Sequence, residues 1–361
     1  MKVDYLIVGS GLTGTTIARH LADNNREVMV IDRRPHGGGN VHDQVHPSGI
    51  RMHTYGPHYF RTNSDELWSY VNRFGSFYQF EAQVKSWVDD AYEQWPVDEA
   101  YIRKVAGVSW KPAYTGVPRN FEEASLAMMP QAVYEKFVKG YSEKQWGVAA
   151  SKLSADLAKR FDVRSDDDPR FSRHKYQGLP TDGYAAWMAN MLDGIPTTLH
   201  VDYLKNREAF QARRLLVFTG AIDEFFGFNL GKLQYRGQLR THRYLPDTDY
   251  AHPCPQINNP QMHNGPHIRT LEWKHMLPSQ MAEQISGTLL TTEETITPTW
   301  PDHYEYPFPD SYNRALFKQY VKLAEQEPNT LICGRLGEYR YYDMDQAISR
   351  ARMLAEKILQ R

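Results

Sequence analysis

Cysteine is almost absent from this chain of 361 residues: only Cys254 and Cys333 are present. Two thiols do not make a disulfide framework, and their scarcity fits a reducing compartment, so a cytoplasmic protein is expected. Long apolar runs are missing too. No stretch approaches the roughly 18 residues of a membrane span, which argues against a transmembrane protein. The N-terminal "VDYLIVGSG" holds an acid and runs straight into glycine, so it lacks the flanks of a signal peptide. Excess charge is also lacking. A net charge of −1 sets up no strong field towards nucleic acid or an anionic membrane, and neither is expected as a partner. There is no repeat, no low-complexity segment, no Ser/His/Asp set, no cysteine nucleophile and no expected metal site. Aromatic residues are abundant, at 13% of the chain with 23 tyrosines and 8 tryptophans. They serve either a tyrosine-rich core or a site that stacks flat ligands.

The patterning predicts an α/β protein. Residues 2–8, "KVDYLIV", read as a buried parallel strand that ends at glycine. "GSGLTGTTIARHLADNN" follows, with Ile17, Ala18 and Leu21 at helical spacing, and "EVMVIDRR" (27–34) gives a second buried strand. This is a βαβ unit. A helix over 64–75 takes Ser64 as its N-cap. Residues 77–97 suggest two short strands, 98–160 a mostly helical region, and 162–183 a polar, turn-rich and mobile connection. A helix is expected over 184–193, a strand over 215–223 and an antiparallel sheet over 233–300. The C-terminal "NTLICGRLGEYRYYDMDQAISRARMLAEKILQ" returns to strand, glycine turn and amphipathic helix. Both ends of the chain therefore belong to one doubly wound domain.

Gly9, Gly11 and Gly14 form GxGxxG between that first strand and helix, and Asp32 lies eighteen residues beyond Gly14. In this context Gly9 permits the tight turn, Gly11 lets a pyrophosphate approach the backbone, and Gly14 lets the helix pack on the strand. The helix N-terminus offers free N–H groups and a positive dipole end, and Asp32 would accept from a ribose hydroxyl. Without a ligand, the same glycines would serve strand–helix packing alone. The extra glycines of "RRPHGGGN" and the second glycine turn at Gly334-Arg335 favour FAD over NAD.

With these residues in view, the sequence resembles the FAD-dependent UDP-galactopyranose mutase family nearly end to end. The resemblance is carried by "VGSGLTGTTIA", "GGNVHD", "YGPHYFRTN", "KGYSEKQWG", "YQGLPTDGY", "TGAIDEFF", "LQYR", "RTLEWKH" and "GRLGEYRYYDMDQAI". It implies three domains. An FAD-binding Rossmann-like domain would comprise 1–76 with 184–232 and 318–361. A helical insertion would cover 98–160, and an antiparallel β-sheet domain 77–97 with 161–183 and 233–317. It also implies interconversion of UDP-galactopyranose and UDP-galactofuranose through a reduced-flavin N5–sugar adduct, without net redox change, by a homodimer. The cofactor then carries the hard chemistry, which explains the missing protein nucleophile.

The resemblance further assigns residues. Arg160 matches a mobile-loop arginine that closes on the sugar diphosphate, and Arg269 a fixed arginine on the phosphates. Guanidinium suits both, since it gives paired donors to phosphate oxygens. Tyr306 and Tyr341 match phosphate-binding tyrosines, Tyr141 a residue stacked on uracil, and Trp146 one lining the sugar pocket. Asp343 matches the acid near sugar and flavin, His58 the histidine beside the flavin, and Arg335 an arginine that stabilises the reduced flavin anion. Gly39, Asn40, Gly334 and Met344 fall in the matching cofactor segments.

Three places depart from the family pattern. Phe171 stands where many bacterial members have a phosphate-binding tyrosine, "QVKSWVDDAYEQWPVD" differs, and "HYFRTN" replaces the usual "HIFHTN". Arg61 is therefore either a specificity residue in the sugar pocket or the partner of an acid such as Asp343 or Asp65. A mutase for another nucleotide sugar, such as UDP-N-acetylgalactosamine or a deoxysugar nucleotide, stays open. An amine oxidase-type flavoenzyme shares the first motif, but it would not need the further phosphate-binding groups. A non-catalytic nucleotide-sugar binding protein is the remaining alternative.

Overall fold

The computed structural model describes residues 1–160, 163–166 and 168–360, with Arg160 described by its backbone only. The chain opens with β1 (Lys2–Val8), α1 (Leu12–Asp23) and β2 (Val28–Ile31), followed by β3 (Asp43–Val45), β4 (Arg51–His53), β5 (Phe60–Thr62) and α2 (Asp65–Asn72). Next come β6 (Phe77–Gln79), β7 (Val84–Val88) and β8 (Ala91–Trp95). The helical stretch holds α3 (Glu99–Ala106), α4 (Phe121–Leu126), α5 (Gln131–Val133) and α6 (Gly140–Trp146). It leads to β9 (Tyr176–Pro180), α7 (Tyr184–Met191), β10 (Thr197–Thr198), β11 (Gln211–Phe218) and α8 (Ile222–Phe225). Then follow β12 (Tyr235–Leu245), β13 (Gln256–Asn258), β14 (Arg269–Glu272), α9 (Ser279–Ala282), β15 (Thr288–Ile296) and β16 (Tyr306–Pro307). The chain closes with α10 (Ser311–Ala324), β17 (Thr330–Ile332), α11 (Gly334–Gly337) and α12 (Met344–Leu359).

A parallel sheet of order β10-β2-β1-β11-β17 unites both ends of the chain. Its strands are short apolar runs because both faces are covered, one by α1 and α12 and the other by Val201, Tyr203, Leu204, Phe210 and Phe225; all four residues of β2 are buried. Ile17, Ala18 and Leu21 of α1 share one core with Ala351, Leu354 and Ile358 of α12. The larger sheet has the order β16-β12-β15-β14-β13-β7-β8 and is antiparallel except where β13 runs parallel to β7. A third sheet, β5-β9-β6, brings Arg61 opposite Gln177. No helix among the described residues is long and apolar enough to cross a membrane.

Several elements differ in detail from expectation. The region 77–97 holds three strands: β6 pairs with β9, while β7 and β8 make a hairpin through Asp89 and Asp90, both at positive φ. Strand β9 lies within the stretch expected as a connection. Helix α2 ends at Asn72, but Ser64 caps it as expected, its side chain accepting from the Leu67 N–H at 3.2 Å.

Candidate active site

The first cleft opens where β1 turns into α1. Gly9 makes that turn at φ +103°, and a Cβ on Gly14 would collide with the Gly9 carbonyl, so α1 can pack flush only on glycine. Gly11 is the N-cap of α1, and no side chain caps the helix there. The first-turn N–H groups therefore remain for an anion in the cleft that Gly11, Leu12 and Thr13 line. Asp32, at the end of β2, accepts at Oδ2 from the Ser10 N–H and hydroxyl, both at 2.7 Å, and at Oδ1 from the Arg34 N–H at 2.8 Å. A carboxylate has about four acceptor sites, so one remains for a ribose hydroxyl. Gly9, Gly39, Asn40, Gly334, Arg335 and Met344 line the same cleft, which encloses about 1200 Å³ including its mouth. Uncapped helix, glycine cradle and terminal acid together fit a dinucleotide.

The second cleft encloses about 1520 Å³ including its mouth. It gathers Arg61, Tyr141, Trp146, Phe171, Arg269, Tyr306, Tyr341 and Asp343 from six separate segments. Trp146 meets Phe308 edge-on at 5.8 Å, and the rings of Tyr306 and Tyr341 lie nearly parallel, 6.0 Å apart. Burial pushes the Tyr306 phenol up to about 12, so it keeps its proton as a donor. The side chain of Arg160 lies outside the described residues.

Arg269 is held from behind. Its Nε donates to Glu293 Oε2 at 2.5 Å, Arg240 Nε donates to Glu293 Oε1 at 2.8 Å, and Arg240 grips Glu305 with two further bonds of 2.9 Å. Cross-strand register makes the row, since Glu293 on β15 faces Arg240 on β12 and Arg269 on β14. Burial alone would raise the Glu293 carboxyl, but the two guanidinium groups overcome it and hold it below the usual range. Burial opposes the charge on Arg269 as well, and Glu293 more than restores it.

Among the described residues, four belong to both clefts: His58, Arg335, Tyr342 and Met344. Burial first, and then the charge of Arg335, push His58 down to about 3, so its ring is neutral. Its Nδ1 stands 2.8 Å from the Gly56 carbonyl, which can only accept, so Nδ1 carries the proton and Nε2 a lone pair. Arg335 donates to the carbonyls of Tyr342 (2.9 Å) and Glu305 (3.3 Å) and lies over the Tyr341 ring.

Of the two acids considered for Arg61, Asp65 is ruled out: it is bonded instead by Lys175 and Tyr176. Asp343 stands 3.5 Å from Arg61, but this pair faces the second cleft and is partly exposed on both sides. Sequence reading missed Glu293, Arg240 and Glu305, as well as the cleft-lining Gln256 and Asn258. The period-2 placement of Gln256 and Asn258 around Ile257 on a short strand was the available signal.

Comparison with known proteins adds an independent line. The model of the family described as UDP-galactopyranose mutase matches residues 136–341. A Klebsiella pneumoniae protein named "Probable UDP-galactopyranose mutase" is 32% identical over 371 residues, covering 99% of this chain and 94% of the relative. The chain belongs to the UDP-galactopyranose mutase family. As a member it is a mutase, an isomerase whose substrate is a nucleotide sugar. A dTDP-fucopyranose mutase from Escherichia coli is also 32% identical, over 365 residues and 96% of each chain. A model of NAD(P)-binding Rossmann-like domains matches residues 7–74, where the first cleft begins. The fold agrees with the crystal structure of a reduced UDP-galactopyranose mutase at a TM-score of 0.78 and 13% identity, over 100% of this chain and 94% of the other.

Proposed function

We propose that this mutase binds FAD in the first cleft and interconverts UDP-galactopyranose and UDP-galactofuranose in the second. The observation that carries the reading is the shared wall of His58, Arg335, Tyr342 and Met344, which brings a dinucleotide cleft into contact with one lined by arginine and tyrosine. Reduced FAD supplies a nucleophilic ring nitrogen for covalent catalysis.

The protein's own tasks are to bind, orient and exclude water. The α1 N-terminus takes the pyrophosphate of the cofactor and Asp32 its ribose, while the cation of Arg335 favours the reduced, anionic ring. Arg269, Tyr306 and Tyr341 hold the substrate diphosphate, Tyr141 stacks on the base, and Trp146 lines the sugar pocket. Neutral His58 and Asp343 flank the reacting sugar. Arg160 completes the clamp from the other side.

The reading assigns 1–76, 184–232 and 318–361 to the cofactor, 98–160 to a helical domain, and 77–97, 161–183 and 233–317 to the substrate sheet. A cytoplasmic homodimer belongs to the same proposal. A second reading, a deoxysugar nucleotide as substrate, is favoured by the equal identity to the dTDP-fucopyranose mutase and by the departures at Arg61 and Phe171. The test is to reduce the purified yellow protein with dithionite, offer UDP-galactose, UDP-N-acetylgalactosamine and dTDP-fucose, and resolve the ring forms. Turnover should require reduction and rank the three sugars. Equal activity with oxidised flavin would remove the covalent mechanism.

A further inference from the structure

Helix α6 carries Tyr141, Gln145 and Trp146 into the second cleft. It follows directly on a π-helical turn, Tyr134–Lys139, a rare form that is frequent at functional sites. Its other face meets the chain segment that joins β13 to β14. There the Lys144 ammonium donates to three backbone carbonyls of that segment: Asn259 at 3.0 Å, Gln261 at 2.8 Å and His267 at 3.3 Å. An ammonium has three donors, so its complement is complete without a carboxylate. Burial pushes this group down to about 8, and no acid among the described residues pairs with it. Gly140 lies one turn earlier on the same helical face. It lets the Pro260 carbonyl approach so closely that a Cβ would collide with it. The two ends of the gathered segment enter the cleft as Asn258 and Arg269.

We propose that Lys144 is a positioning residue that sets the distance between the base platform on α6 and the diphosphate anchor Arg269. The inference rests on the reading of Tyr141 and Arg269 given above. Its physical content is a chelate effect. A ligand that touches both sites gains from their being held at a matching separation, whereas a ligand that touches one gains nothing.

The test uses the FAD-loaded full-length protein with Lys144→Met and Lys144→Gln. Dissociation constants are measured for uridine, inorganic pyrophosphate and UDP, with Tyr141→Ala and Arg269→Ala as controls. Uridine and pyrophosphate should bind within about twofold of the parent, while UDP weakens by at least about tenfold. KM for the nucleotide sugar should rise in step with the UDP constant, and flavin content should stay unchanged. If Lys144→Met fails to retain flavin, Lys144→Gln, which keeps an amide donor, carries the comparison. Unchanged UDP affinity in the Lys144 variants, with loss in both controls, would overturn the proposal. So would equal weakening of uridine and UDP, which would make Lys144 a support of the base site alone. Controls that bind UDP normally would instead overturn the underlying reading of the site.

Discussion

Arg61 and Phe171, two departures from the family pattern, meet in the second cleft: the guanidinium carbon lies over the ring, 5.3 Å from its centroid. The hydroxyl expected at position 171 is replaced by an apolar ring, and the imidazole expected at 61 by a cation that can stack on it. Nη2 of the same guanidinium stands 3.5 Å from Asp343 Oδ2 at the cleft wall.

We propose that Arg61, held in this way, reads the sugar. Arg61→His should raise the preference for UDP-galactose over UDP-N-acetylgalactosamine or dTDP-fucose by roughly ten- to a hundredfold in kcat/KM, the loss of one matched polar contact worth about 1–3 kcal/mol. Melting should change little, because a partly exposed ion pair contributes under about 1 kcal/mol. An unchanged substrate ratio with a clear fall in melting temperature would make Arg61 structural.

Arg269 should behave as a buried anchor. Arg269→Ala should weaken UDP binding by about 2–5 kcal/mol and also lower stability, since Glu293 would face Arg240 alone. Arg160→Ala should chiefly lower kcat, leaving the UDP dissociation constant nearer the parent value. Calorimetric UDP titrations beside steady-state kinetics separate the two; matching behaviour would count against a division of labour.

Asp223 predicts a pH dependence of stability. It is fully buried on α8, one oxygen accepts from the Leu233 N–H at 2.8 Å, and Oδ1 has no hydrogen-bond partner among the described residues. Burial raises its pKa from 3.8 to about 6. The folded state therefore holds the proton more tightly than the unfolded state. The stabilisation is complete below about pH 4 and is lost as pH rises through about 6, a span worth on the order of 3 kcal/mol. Asp223→Asn should remove that slope, so its melting temperature relative to the parent should improve between pH 4.5 and 8. A constant difference across that range would show that Asp223 does not titrate there.

Gly14→Ala should push α1 away from β1. Overpacking of this kind costs about 1–3 kcal/mol, and the displaced helix end should hold less flavin. The ratio of flavin to protein absorbance after purification measures the effect; full occupancy would show that the helix can shift without moving its N-terminus.

The legible parts of this protein were local ones. The β1–α1–β2 unit announces itself because strand, glycines and acid lie within 32 residues and each has a backbone reason for its place. Ser64 was readable for the same reason, since a cap acts on the next turn only. The row of Arg240, Glu293 and Arg269 was not readable. Its members lie on three strands, and only the pairing register shows that one carboxylate serves two arginines. Arg269 could be matched to a family motif, but what keeps it still could not. Arg61 stood between: the sequence left it as a specificity residue or the partner of an acid such as Asp343 or Asp65, and the fold puts Asp343 beside it.

The row also bears on how substrate is drawn in. Arg269, Glu293, Arg240 and Glu305 alternate in sign and sum to no net charge, within a chain whose total is −1. Such an arrangement casts little field beyond a Debye length, about 8 Å at physiological salt. On the proposed reading, this row therefore adds little pull on a nucleotide sugar drifting past, and Arg269 acts once the phosphates are inside. The share of capture that this row contributes should then be nearly indifferent to ionic strength, made by fit at close range and not by attraction from afar.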